Sequence, residues 1–263
     1  MFVVSFVVVS FVVVIGLFMI NSYFSKQLIR AIDEKNYEKI ETLSQCQLCN
    51  INALPTPIPV LGALVEQSAM TPLQTACYNN DTRAVQILLQ YGADANYTPP
   101  YNLCNIPPIH FAATNGNVEI MELLLDSNAD ISSVYQGKDV WESLVVGAIR
   151  SESIDQLDCG VNLLRSRGVI PKKGLFVTSA LYGKTAFSMY LVNEGLVSVD
   201  ETDENGRNAL HSCLISGYVR PTEEFVLFLI ELGVDTSHKD KYGKTAYDYA
   251  VEKGYTDLAE ILR

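Results

Sequence analysis

Two stretches of this chain repeat one another without a gap. Residues 71–96, TPLQTACYNNDTRAVQILLQYGADAN, and residues 107–131, PPIHFAATNGNVEIMELLLDSNADI, align at a spacing of 36. A period of this length constrains a fold more than any other sequence feature, because one repeat cannot bury its apolar face alone and must stack on its neighbours. Both copies follow one physical plan. Pro72 and Pro108 stand in a first helical turn, where a missing N–H does no harm. Ala76 and Cys77, or Ala112 and Ala113, are small enough to let a helix approach its neighbour closely. Val85, Leu88 and Leu89, or Ile120, Leu123 and Leu124, recur at spacings of three and four, which predicts the apolar stripe of a second helix. Gly92 or Asn128 then closes the repeat, the two residue types best suited to a left-handed cap.

These residues resemble the ankyrin repeat, whose pattern runs T-P-L-H-x-A-A-x-x-G-x-x-E-hydrophobic-hydrophobic-x-L-L-L-x-x-G-A-D. Weaker copies extend the likeness. Asn208-Ala209-Leu210-His211-Ser212-Cys213 opens a repeat with a second helix near Phe225 to Glu231 and an end at Gly233-Val234-Asp235. Gly243-Lys244-Thr245-Ala246-Tyr247-Asp248-Tyr249-Ala250 opens the last one, with Gly254 in its inter-helix turn. Gly183 and Gly195 share the separation of Asn80 and Gly92, which places a further repeat near 174–200. Residues 137–170 form a degenerate copy with Trp141 at the Leu position and a late second helix, from a lengthened first helix or inter-helix loop. Residues 26–45 form a capping repeat broken by Asp33-Glu34-Lys35-Asn36, and 46–70, with Pro55, Pro57 and Pro59, an irregular insert. The expectation is about seven repeats near 26–45, 71–96, 107–131, 137–170, 174–200, 207–235 and 243–263. The resemblance implies an all-α ankyrin-repeat solenoid of stacked helix–turn–helix repeats over residues 26–263.

The first twenty residues, MFVVSFVVVSFVVVIGLFMI, stand apart, because no charged side chain precedes Lys26. Twenty residues at about 1.5 Å each reach about 30 Å, the thickness of a hydrocarbon core. Residues 1–25 are therefore expected to be one N-terminal transmembrane helix that anchors the chain to a membrane. The alternative is a cleaved secretory signal, although the basic start, short apolar stretch and small-residue cleavage site of such a signal are not evident. Lys26, Arg30, Lys35 and Lys39 follow the run and nothing basic precedes it, so the repeats are expected to face the cytoplasm.

Charge and motif arguments narrow the chemistry. A net charge of −11 repels phosphate backbones, which argues against nucleic acid and for a protein partner with a basic or neutral surface. Cys46-Gln47-Leu48-Cys49 has the spacing of a metal or redox pair, but no second pair exists to complete a zinc site. Local packing or a disulfide is the reading that remains. Gly183-Lys184-Thr185 and Gly243-Lys244-Thr245 lack the first glycine of a phosphate loop, where Thr178 and His238 stand instead. Three histidines without an assigned partner make no acid–base set; the resemblance implies that His110 and His211 hydrogen-bond between neighbouring loops. Asn80-Asp81-Thr82 and Asn96-Tyr97-Thr98 fit the glycosylation pattern, which matters only outside the cytosol. No catalytic residues, cofactor, metal or small-molecule substrate are expected.

What remains is a surface. The resemblance implies gripping of a partner by hairpin tips and first-helix faces. The tips offer Tyr97, Tyr101, Tyr135 and Tyr242, and the first helices Thr75, Phe111 and Tyr249. Tyrosine supplies large contact area at small entropic cost. The run Asp200-Glu201-Thr202-Asp203-Glu204 adds the strongest charge, with Asp200, Glu201, Asp203 and Glu204 expected to steer a basic partner. Two functions follow: a membrane-tethered, non-enzymatic scaffold that recruits a protein, or an exported module with an oxidised Cys46–Cys49 pair that serves as an inhibitor or an immunity or toxin-associated binder.

Overall fold

The computed structural model describes residues 2–47, 49–55, 70–99 and 105–263, with the side chains of 2–15 and 18 outside the description. Among the described residues there are fourteen helices and no strand, only an isolated antiparallel bridge between Tyr135 and Lys138. The chain divides into two compact bodies, Met1–Val140 and Trp141–Arg263.

The N-terminal body holds α1 (Phe2–Asp33), α2 (Tyr37–Ser44), α3 (Pro72–Tyr78), α4 (Thr82–Gln90), α5 (Pro108–Asn115) and α6 (Val118–Asp126). Polar side chains start these helices by accepting amides that have no partner in a first turn. Thr71 Oγ1 accepts from the Gln74 amide at 3.1 Å, and Gln74 Oε1 accepts from the Thr71 amide at 2.9 Å. Asn36, Asp81 and Asn117 cap α2, α4 and α6 in the same way. Gly92 and Asn128 follow α4 and α6 at φ 86° and 62°, the left-handed ends expected of them. First helices pack on first helices and second on second, α3 on α5 and α4 on α2 and α6. The stripe that faces this stack is Ala84, Val85 and Leu88 in α4 and Ile120, Met121 and Leu124 in α6. Leu89 and Leu123 are only half-buried, because they sit on the flank of each helix.

The last turns of α1 serve as the first helix of the first repeat. Phe24, Leu28, Ala31 and Ile32 are buried, and α1 packs on α2 and α3. Further back, Leu17, Met19, Ile20 and Tyr23 are exposed, so the helix leaves the cover of the stack near Asn21. Among the described residues no helix is long and apolar enough to cross a membrane. Most of the apolar run at 1–20 falls on side chains outside the description. Within the insert, residues 49–55 turn back onto α1: the Asn50 amide donates to Asn21 Oδ1 at 2.8 Å and Ser25 Oγ donates to the Ala53 carbonyl at 2.7 Å. Residues 56–69, with Pro57 and Pro59, lie outside the described residues.

The C-terminal body holds α7 (Val140–Ser151), α8 (Ile154–Ser166), α9 (Leu175–Ala180), α10 (Thr185–Asn193), α11 (Ala209–Ile215), α12 (Glu223–Glu231), α13 (Ala246–Glu252) and α14 (Thr256–Ile261). At 12 residues α7 is longer than α11 and α13, which have seven each. It crosses α8 closely at Gly160, where a Cβ would stand 2.5 Å from Leu144 Cδ1. Further along, Phe176, Leu210, Leu214, Phe225, Leu229 and Leu258 belong to one continuous core.

Candidate partner-binding surface

The tips in the C-terminal body are built by a repeated device. Asp203 Oδ1 accepts from the Asn205 and Arg207 amides at 2.8 and 2.9 Å. Asp240 Oδ1 does the same with the Tyr242 and Lys244 amides at 2.8 and 3.0 Å. Each turn passes through a left-handed glycine, Gly206 at φ 70° and Gly243 at φ 75°. The two turns are tied together by the Lys241 amide, which donates to the Asn205 carbonyl at 2.9 Å, and by Lys241 Nζ on the Glu204 carbonyl.

Buried polar side chains carry the ties from repeat to repeat. His211 Nε2 lies 3.0 Å from the Lys244 carbonyl, His110 Nε2 lies 3.1 Å from the Ser133 carbonyl, and Gln74 Nε2 donates to the Ile106 carbonyl at 2.8 Å. The loop-to-loop role implied for His110 and His211 is thus present, and Gln74 fills it where no histidine stands. Burial lowers the pKa of both histidines against the opposing effect of those carbonyls. Asn96 works along the tips in the same manner, donating to the Asn128 carbonyl at 2.8 Å and accepting from the Asp130 amide at 2.6 Å.

Around Asp240 a charged and aromatic cluster forms that residue-by-residue reading missed. Its side chain is fully buried and accepts from the Tyr249 hydroxyl at 2.6 Å. Burial alone would raise the Asp240 carboxyl, but the Tyr249 hydroxyl and the Lys244 and Tyr242 amides hold it below the ordinary range. The Arg207 guanidinium stands 5.7 Å from the Tyr242 ring and 5.9 Å from the Tyr249 ring, and Lys244 Nζ is 5.2 Å from the latter. The recurrence of Asp-x-x-Gly-Arg/Lys at 203–207 and 240–244 is the sequence signal that marks this site.

The expected contact residues fare unequally. Tyr242 is 65% exposed and stands at a tip. Tyr97 and Tyr135 are half-buried; Tyr135 holds the bridge to Lys138, and its ring lies 6.3 Å from that of His110. Phe111 is half-buried and meets the exposed Tyr78 edge-on at 5.9 Å. Tyr101 lies outside the described residues. Thr75 and Tyr249 are buried, so neither presents a free first-helix face.

The acidic run also divides. Asp200 and Glu204 are exposed, whereas Glu201 accepts from the Gly174 and Phe176 amides at 3.0 and 3.3 Å and from the Ser198 amide at 3.2 Å. It supplies the cap that Gly174 cannot give to α9. Asp203 is committed to its own turn. A further aromatic pair, Tyr182 and Tyr218, stacks at 4.9 Å on inter-helix turns, with Tyr218 exposed. The Cys46 and Cys49 sulfurs lie 3.1 Å apart, and burial together with the Cys46 hydrogen bond pushes the Cys49 thiol up to about 11. Among the described residues no group of His, Cys, Asp or Glu has the makings of a metal site.

A family model described as ankyrin repeats (3 copies) matches residues 28–135 and 180–263. A putative ankyrin repeat protein of fowlpox virus (strain NVSL), FPV014, is 45% identical over 67 residues, which is 26% of this chain and 14% of the viral one. The chain spans between 7% and 23% of the length of the curated relatives it matches. The solved ankyrin repeat domain of human ASB11 is 18% identical, with 84% of this chain and 90% of that one covered at a TM-score of 0.59. That of Bcl-3, of the IkappaB family, is 19% identical, with 85% and 92% covered at 0.56.

Proposed function

Because the chain belongs to the ankyrin-repeat family, whose repeats are protein–protein interaction modules, we propose that it is a membrane-tethered, non-enzymatic scaffold that recruits a protein partner through its tips. The observation that carries this reading is the tip construction. Backbone and buried side-chain bonds fix the turns at 203–207 and 240–244, while Tyr242 projects from them, so little ordering entropy is left to lose on binding. The net charge of −11 favours a basic or neutral partner surface.

The tether rests on the apolar run at 1–20 and on α1, which continues without a break from Phe2 to Asp33. Lys26, Arg30, Lys35 and Lys39, which follow the run, support a cytoplasmic side for the repeats. The glycosylation patterns agree with this topology. Asn96 already uses both side-chain heteroatoms between repeats, and Asn80 Oδ1 accepts from Asn117 Nδ2 at 2.8 Å. A glycan on Asn96 would displace one of these ties. The second reading, an exported module with a cleaved signal and a Cys46–Cys49 disulfide that acts as an inhibitor or an immunity or toxin-associated binder, is favoured by the 3.1 Å sulfur separation.

The test is crosslinking and pull-down from carbonate-washed membranes, followed by binding kinetics. Replacing Tyr97, Tyr101 and Tyr135 together by Ala is expected to weaken the captured partner by about 2 kcal/mol or more while the chain remains folded. Equal binding by a folded triple variant removes these tips from the interface. A mature N-terminus near Ser22, or release of the chain by carbonate, removes the tether.

A further inference from the structure

We propose that the edge formed by the inter-helix turns of the C-terminal body pairs with the same edge of a second copy of this chain, about a two-fold axis passing between Tyr182 and Tyr218. The proposal is independent of partner capture at the tips and needs no membrane. Its starting point is one lengthened turn. Residues 216–222 separate α11 from α12, whereas 181–184 and 253–255 suffice in the repeats on either side. In repeat proteins such local insertions fall on one face, often a binding face. This one is fastened on both flanks. Ser216 Oγ donates to the Leu181 carbonyl at 2.5 Å and accepts from the Tyr218 amide at 3.1 Å, and the Tyr218 ring stacks on Tyr182 at 4.9 Å. On the other flank Arg220 Nη2 donates to both Asp257 carboxylate oxygens at 2.8 Å, and the guanidinium stands 5.0 Å from the Tyr255 ring. Yet Tyr218 and Val219, at the crest of the turn, remain 63% and 52% exposed. Apolar side chains held in place before docking have little freedom left to lose, which suits them to the centre of an interface.

The charges around that centre select a second copy as the occupant. Copies that each carry a net charge of −11 repel one another over most of their surface, so self-pairing needs an edge on which both signs occur. This edge has them, in an order that becomes complementary when it is reversed. Its four turns are joined in sequence, the first to the second by the exposed Lys184–Glu152 bridge at 2.6 Å, and the others by the Tyr182–Tyr218 stack and the Arg220–Asp257 pair. The first turn carries Arg150, Glu152 and Asp155, the second Lys184, the third Glu223 and Glu224 just past the crest, and the fourth Lys253 and Asp257. A two-fold axis between the second and third turns sets those two against each other, and the first against the fourth. Lys184 of one copy then meets Glu223 and Glu224 of the other, while Lys253 meets Glu152 and Asp155, and Arg150 meets Asp257. Arg150, Asp155, Glu223, Glu224 and Lys253 are exposed and have no ion pair of their own among the described residues.

Sedimentation equilibrium of the full chain in a density-matched non-ionic detergent reads the association, and thermal melts check that each variant is folded. The parent is expected to dimerise, and Tyr218→Ser combined with Val219→Ser to raise the dissociation constant by about tenfold or more. Two charge variants, Lys184→Glu alone and Glu223→Lys with Glu224→Lys, are each expected to lose self-association to a similar extent. Their equimolar mixture should recover it to within about threefold of the parent, because in the mixed pair every reversed charge meets an opposite one. Lys184→Glu also costs Glu152 its partner within the same chain, a change that mixing cannot repair, so recovery on mixing reads contacts between copies alone. A parent that stays monomeric at about 100 μM overturns the proposal. So does a dimer that the serine and charge variants leave unchanged, because it forms elsewhere, and so do charge variants that weaken association without recovering it when mixed.

Discussion

His110 shows how much of this architecture depends on single polar side chains inside the stack. Its ring is buried and meets the Ser133 carbonyl, and burial holds its pKa below the ordinary value of 6.5. The folded state therefore binds fewer protons than the unfolded chain as pH falls through that value. The stability contributed by the neutral ring is present above it and is lost as pH falls through the lower folded pKa. His110→Gln should keep the loop tie, as Gln74 does with Ile106, and remove the linkage. The drop in melting temperature between about pH 7.5 and 5.5 is expected to be smaller in the variant than in the parent. An equal drop in both would assign the linkage elsewhere. Glu201 makes the same point with charge. Its carboxylate closes the start of α9, so Glu201→Ala is expected to cost about 0.5–2 kcal/mol in urea unfolding, as for a lost helix cap. Asp200→Asn and Glu204→Gln should stay within about 0.5 kcal/mol and instead slow association with a basic partner at low salt.

At the scale of elements, the second helices hold the N-terminal body together and the α7–α8 crossing sets the least regular part of the other. Leu88 and Leu124 are fully buried, so Ala at either is expected to cost about 2–5 kcal/mol, measured by urea unfolding. Losses below about 0.5 kcal/mol at both would mean that they do not face the stack. Gly160→Ala tests the crossing. Ala favours a helix by about 1 kcal/mol over Gly, but the new methyl would displace the fully buried Leu144 side chain. Overpacking costs about 1–3 kcal/mol, so the net expectation is a lower melting temperature. Local chemistry made the helix pairs legible in advance. Pro72, Pro108, Gly92 and Asn128 announce starts and ends, and the three-and-four spacing of apolar residues announces the buried stripe. The sites were less legible because they join distant residues. Nothing near Glu201 reveals that its partners are the amides of Gly174 and Phe176, and nothing near Tyr249 reveals that it turns inward to Asp240. A tyrosine reads alike in sequence whether it projects like Tyr242 or is half-covered like Tyr97.

For the molecule as a whole, the feature with the widest reach is that α1 does not stop where the repeats begin. The same helix that carries the apolar run supplies Leu28, Ala31 and Ile32 to the first repeat, with no hinge between them. On the proposed tether, the apolar run and the first repeat are geared together. Each residue of an α-helix advances by about 1.5 Å and turns by about 100°. One residue inserted between Tyr23 and Lys26 would raise the first repeats only slightly and swing them by about 100°, which on the proposed tether points their tips at a different sector of the membrane plane. A pair of glycines at the same place would release the gearing and let every bearing be sampled. If partner capture on membranes depends on azimuth, the single insertion should abolish it while the glycine pair restores it in part, with binding in detergent unchanged in both. Equal capture by all three forms would show that this chain meets its partner without regard to direction.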